Sequence, residues 1–157
     1  MSDANGKDIS KDQKVSKLRN GTVIDHLRPG TALKVIELLG IVDGHILTIG
    51  MFFESKKISR KDIVKIENRV LSPDELSRLA IISPDSTVCV IEDYAVTRKF
   101  KVQVPGEVPD IIRCNNPKCI TNHEKVSSRF AVEVMDPLKV RCQYCERSMA
   151  GNEISLI

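Results

Sequence analysis

Four cysteines near the C-terminus restrict this chain more than any other feature. Cys114 and Cys119 stand four residues apart in "RCNNPKC", Cys142 and Cys145 stand two apart in "RCQYCE", and 22 residues separate the pairs, enough for a short hairpin. A tetrahedral Zn²⁺ takes four ligands, and two such knuckles brought together supply four thiolates in that geometry. With all four positions filled by sulfur, such an ion would be structural and closed to substrate. Disulfides fit poorly with an odd total of five cysteines and with a reducing compartment. A redox-active pair would need a thioredoxin-like βαβ surround, which this segment lacks. A four-thiolate iron site stays open, although two CxxC knuckles are the more usual arrangement there. A zinc deaminase is excluded because its H-x-E and P-C-x-x-C elements are both missing.

The segment that carries the knuckles needs a staple. Residues 111–157 contain short apolar runs such as "RFAVEVM" and "EISLI" and no convincing helix, and a β unit of that size buries too little surface to fold alone. Before it, "VPGEVPD" places two prolines and a glycine within seven residues, which marks a linker over 105–110. The polar residues 1–14 read as a flexible tail, leaving 15–104 as the larger domain.

Within that larger domain the pattern alternates between strand and helix. "GTVIDHL" reads as a strand. "RPGTALKVIELLG" reads as a helix that Thr31 caps and Gly40 stops, with Ala32, Val35, Ile36 and Leu39 on one face. "GHILTIGMFF" and "KDIVKIENRV" read as two further strands. "SPDELSRLAIISP" carries a second helix with a Ser72–Glu75 capping box, Pro73 at its first position, Leu76, Leu79 and Ala80 facing inward, and Pro84 beyond its end. "STVCVIEDY" and "AVTRKFKVQV" complete a strand pair. The order predicts an α+β fold: an antiparallel, ferredoxin-like sheet with two helices on one face, followed by a small all-β zinc-binding domain.

Composition narrows the function classes. The formal charge is +3, and four thiolates with one Zn²⁺ lower it to +1, so a general polyanion surface is not indicated. Tryptophan is absent and Phe plus Tyr number only six, which argues against a stacking platform for nucleic acid, as do the interleaved acids of "HEKVSSRFAVEVMD". No nucleophile stands beside a base, no metal position is open and no phosphate loop is present, so the chain is not expected to be an enzyme. The polar start "MSDANGKDISKDQK" and the absence of long apolar runs predict a cytoplasmic protein without a membrane partner. Cys89, in "STVCVIED", reads as a buried strand residue. His45 and His123 read as surface or turn residues, and His123 is not needed as a ligand once four cysteines complete the shell.

"GTVIDH", "LTIG", "RKDIVKIEN", "LSPDEL", "CNNPKCITNHEKVSSRFAV" and "RCQYCE", in this order and spacing, closely resemble the regulatory chain of aspartate carbamoyltransferase, from about residue 15 to the C-terminus. The resemblance implies a non-catalytic subunit of pyrimidine biosynthesis. Its first domain would bind the nucleotide effectors CTP, ATP and UTP and pair with a second regulatory chain. Its zinc domain would contact the catalytic chain, so that regulatory dimers bridge catalytic trimers. It also implies an effector pocket. Asp25 and His26 correspond to ribose and phosphate neighbours, Lys61 and Lys65 to two lysines around the nucleotide, Lys99 to a phosphate partner, Ile91 and Tyr94 to residues near the base, and Val96 to one near the ribose. Val15 and Leu18 correspond to a segment lying along the ligand. Lys61 and Lys65 have the same strand parity, so their ammonium groups can emerge on one face, whereas Asp25 and His26, being adjacent, are expected on opposite faces. The chain departs from the family pattern where Cys89 replaces an asparagine and where Ser16 and Lys17 replace an acid and a small residue.

Overall fold

A computed structural model describes residues 17–41 and 44–157, so the expectations for Val15 and Ser16 lie outside the described residues. The first strand, β1 (Gly21–Leu27), starts where only glycine fits: Gly21 has φ +141°, and a Cβ there would lie 2.0 Å from the Ile66 carbonyl oxygen. Helix α1 (Ala32–Leu38) follows, then β2 (Leu47–Ser55), β3 (Ser59–Glu67), α2 (Pro73–Ile82), β4 (Thr87–Glu92) and β5 (Ala95–Lys101). The strands form one antiparallel sheet in the order β2-β3-β1-β4-β5, the ferredoxin-like order with β5 added beside β4.

One face of that sheet is closed. Ile24, Val64, Ile66 and Val88 pack against Ala32, Val35 and Leu39 of the first helix and Leu79 and Ala80 of the second, all buried. The alternate residues Val23, Asp25, Lys61, Ile63, Lys65 and Cys89 are half-buried and occupy the opposite, open face. This is the period of two expected of a sheet covered on one side.

Helix termini are handled in two ways. The α2 start follows expectation: Ser72 Oγ accepts from the Glu75 N–H at 3.2 Å, Glu75 Oε2 accepts from the Ser72 N–H at 2.8 Å, and Pro73 takes the first position. The α1 end also follows, because Gly40 at φ +57° lets its N–H reach the Glu37 carbonyl and the Ile41 N–H reach that of Ile36, a Schellman turn. The α1 start does not. Thr31 occupies the cap position, but its hydroxyl donates to the Arg28 carbonyl at 2.6 Å and caps nothing.

A buried carboxylate takes over instead. Asp62 Oδ2 accepts from the N–H groups of Gly30 at 2.8 Å and Ala32 at 3.1 Å, and Asp62 Oδ1 accepts from that of Phe52 at 2.9 Å. Phe52, at φ +59°, sits in an irregularity of β2, where the pairing with β3 jumps from Gly50 to Phe53. One fully buried side chain thus joins the loop before α1, the helix start and the bulge in β2.

The C-terminal part comprises a four-stranded sheet and a two-stranded one. β6 (Glu107–Pro109), β8 (Arg129–Val134), β9 (Lys139–Cys142) and β10 (Ser148–Ala150) pair in the order β10-β9-β8-β6, and β7 (Ile112–Arg113) pairs with β11 (Ser155–Leu156). Residues 107–109, expected within a linker, therefore pair with β8 as part of the second sheet. Val102, Val104, Val108 and Ile111 run the buried cluster of the first part into that of the second. Polar bridges cross as well: Arg28 to Asp136 at 2.8 Å, and Arg78 Nη1 to the Ile157 carbonyl at 2.9 Å.

Replacing Asp62 by Ala strands three N–H donors, of which that of Ala32 is on a fully buried residue. It is expected to cost about 1–3 kcal/mol in urea unfolding. Asp62→Asn keeps one acceptor oxygen and should recover part of that loss.

Candidate functional site

The four C-terminal cysteines converge as expected. Cys114 follows β7, Cys119 opens a short 3₁₀ turn (Ile120–Asn122), Cys142 ends β9 and Cys145 lies in the turn leading to β10. Their sulfurs all lie within 4.8 Å of one another, with Cys114 to Cys145 at 3.6 Å and Cys119 to Cys142 at 3.8 Å. A tetrahedron with Zn–S bonds of about 2.3 Å has edges of about 3.8 Å. The arrangement therefore fits one Zn²⁺ ligated by Cys114, Cys119, Cys142 and Cys145.

The surroundings fix these ligands and act unequally on their sulfurs. Asn122 Nδ2 donates to the carbonyls of Cys114 at 2.9 Å and Asn116 at 2.8 Å, which closes the first knuckle. The Thr121 hydroxyl donates to Cys119 Sγ at 3.2 Å. Burial pushes the Cys114 thiol up to about 12 and raises that of Cys142. Burial acts the same way on Cys145, but the Arg147 N–H and hydrogen bonds from Asn116 and its neighbouring cysteines overcome it and bring that thiol to about 7. His123 is no ligand: its Nε2 lies 2.6 Å from the Pro117 carbonyl oxygen. His45 likewise meets a backbone carbonyl, that of Glu67, at the surface.

The second constellation lies on the open face of the first sheet. Cross-strand pairing places Lys65, Val23, Cys89 and Lys99 in one row, because Val23 opposes both Lys65 and Cys89, and Cys89 opposes Lys99. A neighbouring row carries Asp25, Thr87 and Lys101. Lys61 joins it through an ion pair with Asp25 at 2.8 Å. Cys89 is thus half-buried in the middle of this face rather than in the core, and burial raises its thiol.

His26 corrects the expectation that it points away from Asp25. Between Ile24 and Leu27 the β1–β3 register slips, and His26 takes φ +55°, a bulge that turns its ring onto the open face. Its Nδ1 lies 3.2 Å from Thr87 Oγ1 and 3.9 Å from Asp25 Oδ2. Burial lowers its pKa; Asp25 opposes that, and Lys61, Lys57 and Lys99 add to it.

The apolar end of the face is built by the β4–β5 hairpin. Asp93 and Tyr94 both have positive φ between Glu92 and Ala95, a type I′ turn. It is tied to the preceding chain by Tyr94 N–H to the Arg19 carbonyl at 2.9 Å and Asp93 N–H to Asn20 Oδ1 at 2.9 Å. Leu18 is buried beside that tie, Ile91 is buried, and Tyr94 and Val96 are exposed. Residue pattern alone did not reveal Lys57, Lys101 or Thr87. Lys101 shares strand parity with Lys99, a signal of the kind that grouped Lys61 with Lys65. Lys57 carries no such signal, since it arrives from the β2–β3 turn.

Metal analysis of the purified chain should return one zinc per chain. A thiol reagent should titrate Cys89 alone before the metal is ejected and all five cysteines afterwards, with amide protection of α1 and α2 retained.

Residues 13–103 match the family described as "Aspartate carbamoyltransferase regulatory chain, allosteric domain", and residues 106–155 match the corresponding "metal binding domain". Among curated relatives, the aspartate carbamoyltransferase regulatory chain of Pyrococcus abyssi is 51% identical over 144 residues, covering 90% of this chain and 95% of its own length. That of Thermococcus gammatolerans is 50% identical over 143 residues at the same coverages. That of Methanococcus maripaludis is 45% identical over 139 residues, covering 88% and 94%. With one family spanning both the open-faced sheet and the four-sulfur centre, this chain belongs to the aspartate carbamoyltransferase regulatory chains, which are non-catalytic subunits.

Proposed function

We propose that this chain senses nucleoside triphosphates, CTP, ATP or UTP, on the open face of its first domain (15–104). We further propose that it passes the signal through its zinc domain (111–157) to the catalytic chain of aspartate carbamoyltransferase. The observation that carries the reading is the joint placement of Lys61, Lys65, Lys99 and His26 around Asp25, next to the apolar end formed by Ile91, Val96 and Tyr94. Cations suit the phosphates, Asp25 can accept from ribose hydroxyls, and the apolar end suits a base. Leu18, and Val15 before it, would border the ligand through the tie at Arg19 and Asn20.

Transmission has a short covalent route. His26 is followed by Leu27, buried in the core, and by Arg28, whose guanidinium pairs with Asp136 of the second part. A ligand that moves the β1 bulge would therefore act within two residues of a contact between the two parts. The same reading includes pairing with a second regulatory chain and bridging of catalytic trimers. An effector changes the partner's activity only if it binds the two quaternary states unequally.

Reconstitution with the catalytic chain tests this directly. Aspartate saturation should shift along the substrate axis on adding CTP or ATP; identical curves with and without every nucleotide would sink the regulatory role.

A pH experiment isolates His26. Burial first and the nearby lysines next hold the imidazole below its ordinary pKa; a bound triphosphate opposes the lysines, so binding raises that pKa and takes up a proton between the two values. The affinity ratio of wild type to His26→Gln should therefore grow as pH falls from about 7.5 to 6, by less than tenfold per pH unit. Taking the ratio cancels titration of the phosphate itself.

A further inference from the structure

We propose that the cleft between the two helices and the metal-bearing part is a second ligand site, one that takes a small free molecule with an apolar body and a single anionic group. The site lies apart from the open face of the first sheet and does not depend on the nucleotide reading.

The two helices carry more than the sheet needs. Ala32 and Val35 of α1 are buried against the sheet, and the 3.6-residue period turns Lys34, Glu37 and Leu38 the other way. There, with the end of α2, the β8–β9 turn and the last strand, they enclose a space of about 640 Å³. Leu38, Ile81, Ile82, Leu138, Ile154 and Leu156 form its apolar wall, drawn from both parts. The shared core runs through Val102, Val104, Val108 and Ile111. In the cleft, by contrast, side chains of the two parts face each other without filling the gap. Both its volume and its mainly apolar wall with few polar groups are those of a small-molecule site.

The polar groups of the lining are mostly donors. Arg28, Lys34 and Arg78 face Glu37 and the Thr31 hydroxyl as side-chain acceptors. A guanidinium has five N–H groups. Arg28 directs one to Asp136, and Arg78 directs two, to Asp74 and to the Ile157 carbonyl. Asp136 and Asp74 stand outside the lining and are 62% and 67% exposed, so these are surface pairs, weakly held and open to exchange. Lys34 pairs with no carboxylate among the described residues. Donors in excess beside an apolar wall call for an acceptor on an apolar body, such as a carboxylate on an aromatic frame. A nucleoside triphosphate suits the cleft poorly, because much of its polyphosphate would lie against hydrocarbon without a partner.

2-Naphthoate, a fluorescent monoanion, serves as the probe on the full chain, with 2-naphthalenemethanol as its uncharged counterpart and CTP as competitor for the open face. One naphthoate should bind per chain, about tenfold more tightly than the alcohol, the equivalent of one charge-assisted hydrogen bond. Saturating CTP should not displace it. Lys34→Gln, at an exposed helix position, should lower naphthoate affinity about fivefold and leave the alcohol within about twofold. Leu38→Gln, which makes the wall polar, should weaken both ligands. Lys56→Gln removes an exposed lysine from the β2–β3 turn and should change neither. The site is overturned by the absence of saturable binding, by displacement with CTP or by equal affinity for acid and alcohol. A Lys56→Gln loss as large as that of Lys34→Gln overturns it too, leaving only a general attraction of anions to the chain.

Discussion

The carboxylate of Asp62 is the constraint from which the geometry of the open face follows. Burying a charged group is costly unless every lone pair finds a donor. Here three N–H groups meet that need, those of Gly30 and Ala32 at the start of α1 and that of Phe52 in β2. Satisfying one residue positions the start of α1, the bulge of β2 and the register of β3 at the same time. Because side chains alternate along a strand, holding Asp62 inward obliges Lys61 to face outward, where Asp25 meets it. A slip of one residue in β3 would exchange the buried row of Asp62, Val64 and Ile66 for the half-buried row of Lys61, Ile63 and Lys65. The core and the cationic face are therefore two sides of one register.

Much of this was legible in the chain because it depends on local rules. Four cysteines in two knuckles, the Ser72–Glu75 box, the Gly40 stop and the same-side lysines of β3 each follow from spacing within a few residues. What remained hidden depends on distant partners. Thr31 is a sound N-cap by type, but Asp62, 30 residues beyond Ala32, occupies the acceptor role, and no local pattern announces that. His26 was placed on the wrong face because strand parity assumes an unbroken ladder, and the β1 bulge breaks it. Lys57 escaped notice because it lies in the turn between β2 and β3, where strand parity gives no signal. Residues 107–109 looked like a linker because two prolines and a glycine surround them. Proline is nonetheless tolerated at the end of an edge strand, and β6 is such a strand.

The two parts of the molecule are stabilised by different means, yet they share one interior. The first has enough apolar surface to close a sheet with two helices. The second is small and gathers its short strands around the sulfur tetrad, where Cys114, Cys119 and Cys142 count among the buried core residues beside Phe130, Val140 and Met149. A divalent ion bound there replaces mutual repulsion of thiolates by four strong bonds, so the strands need bury less apolar surface to stay folded. Because Val102, Val104, Val108 and Ile111 continue the core across the join, a disturbance on one side is felt by packed side chains on the other. Close-packed interiors transmit displacement better than a polar tether does.

The electrostatics of the open face give that continuity a use on the proposed reading. Burial lowers the pKa of His26, and Lys61, Lys57 and Lys99 add to that effect. Asp25 is the carboxylate paired among these groups, through Lys61. A polyanion removes the repulsion and draws the groups inward, and the elements that carry them are the β2–β3 turn, the β1 bulge and the end of β5. The end of β5 leads directly into Val102 and Val104, and the β1 bulge leads into Leu27 and Arg28. Both exits enter the shared core or the Arg28–Asp136 bridge within three residues. On the proposed reading, charge relief at a ligand would act on the two segments that lead toward the second part. A face of the same charge built on strands remote from the join would bind an anion equally well but lack this short mechanical route to the metal-bearing part.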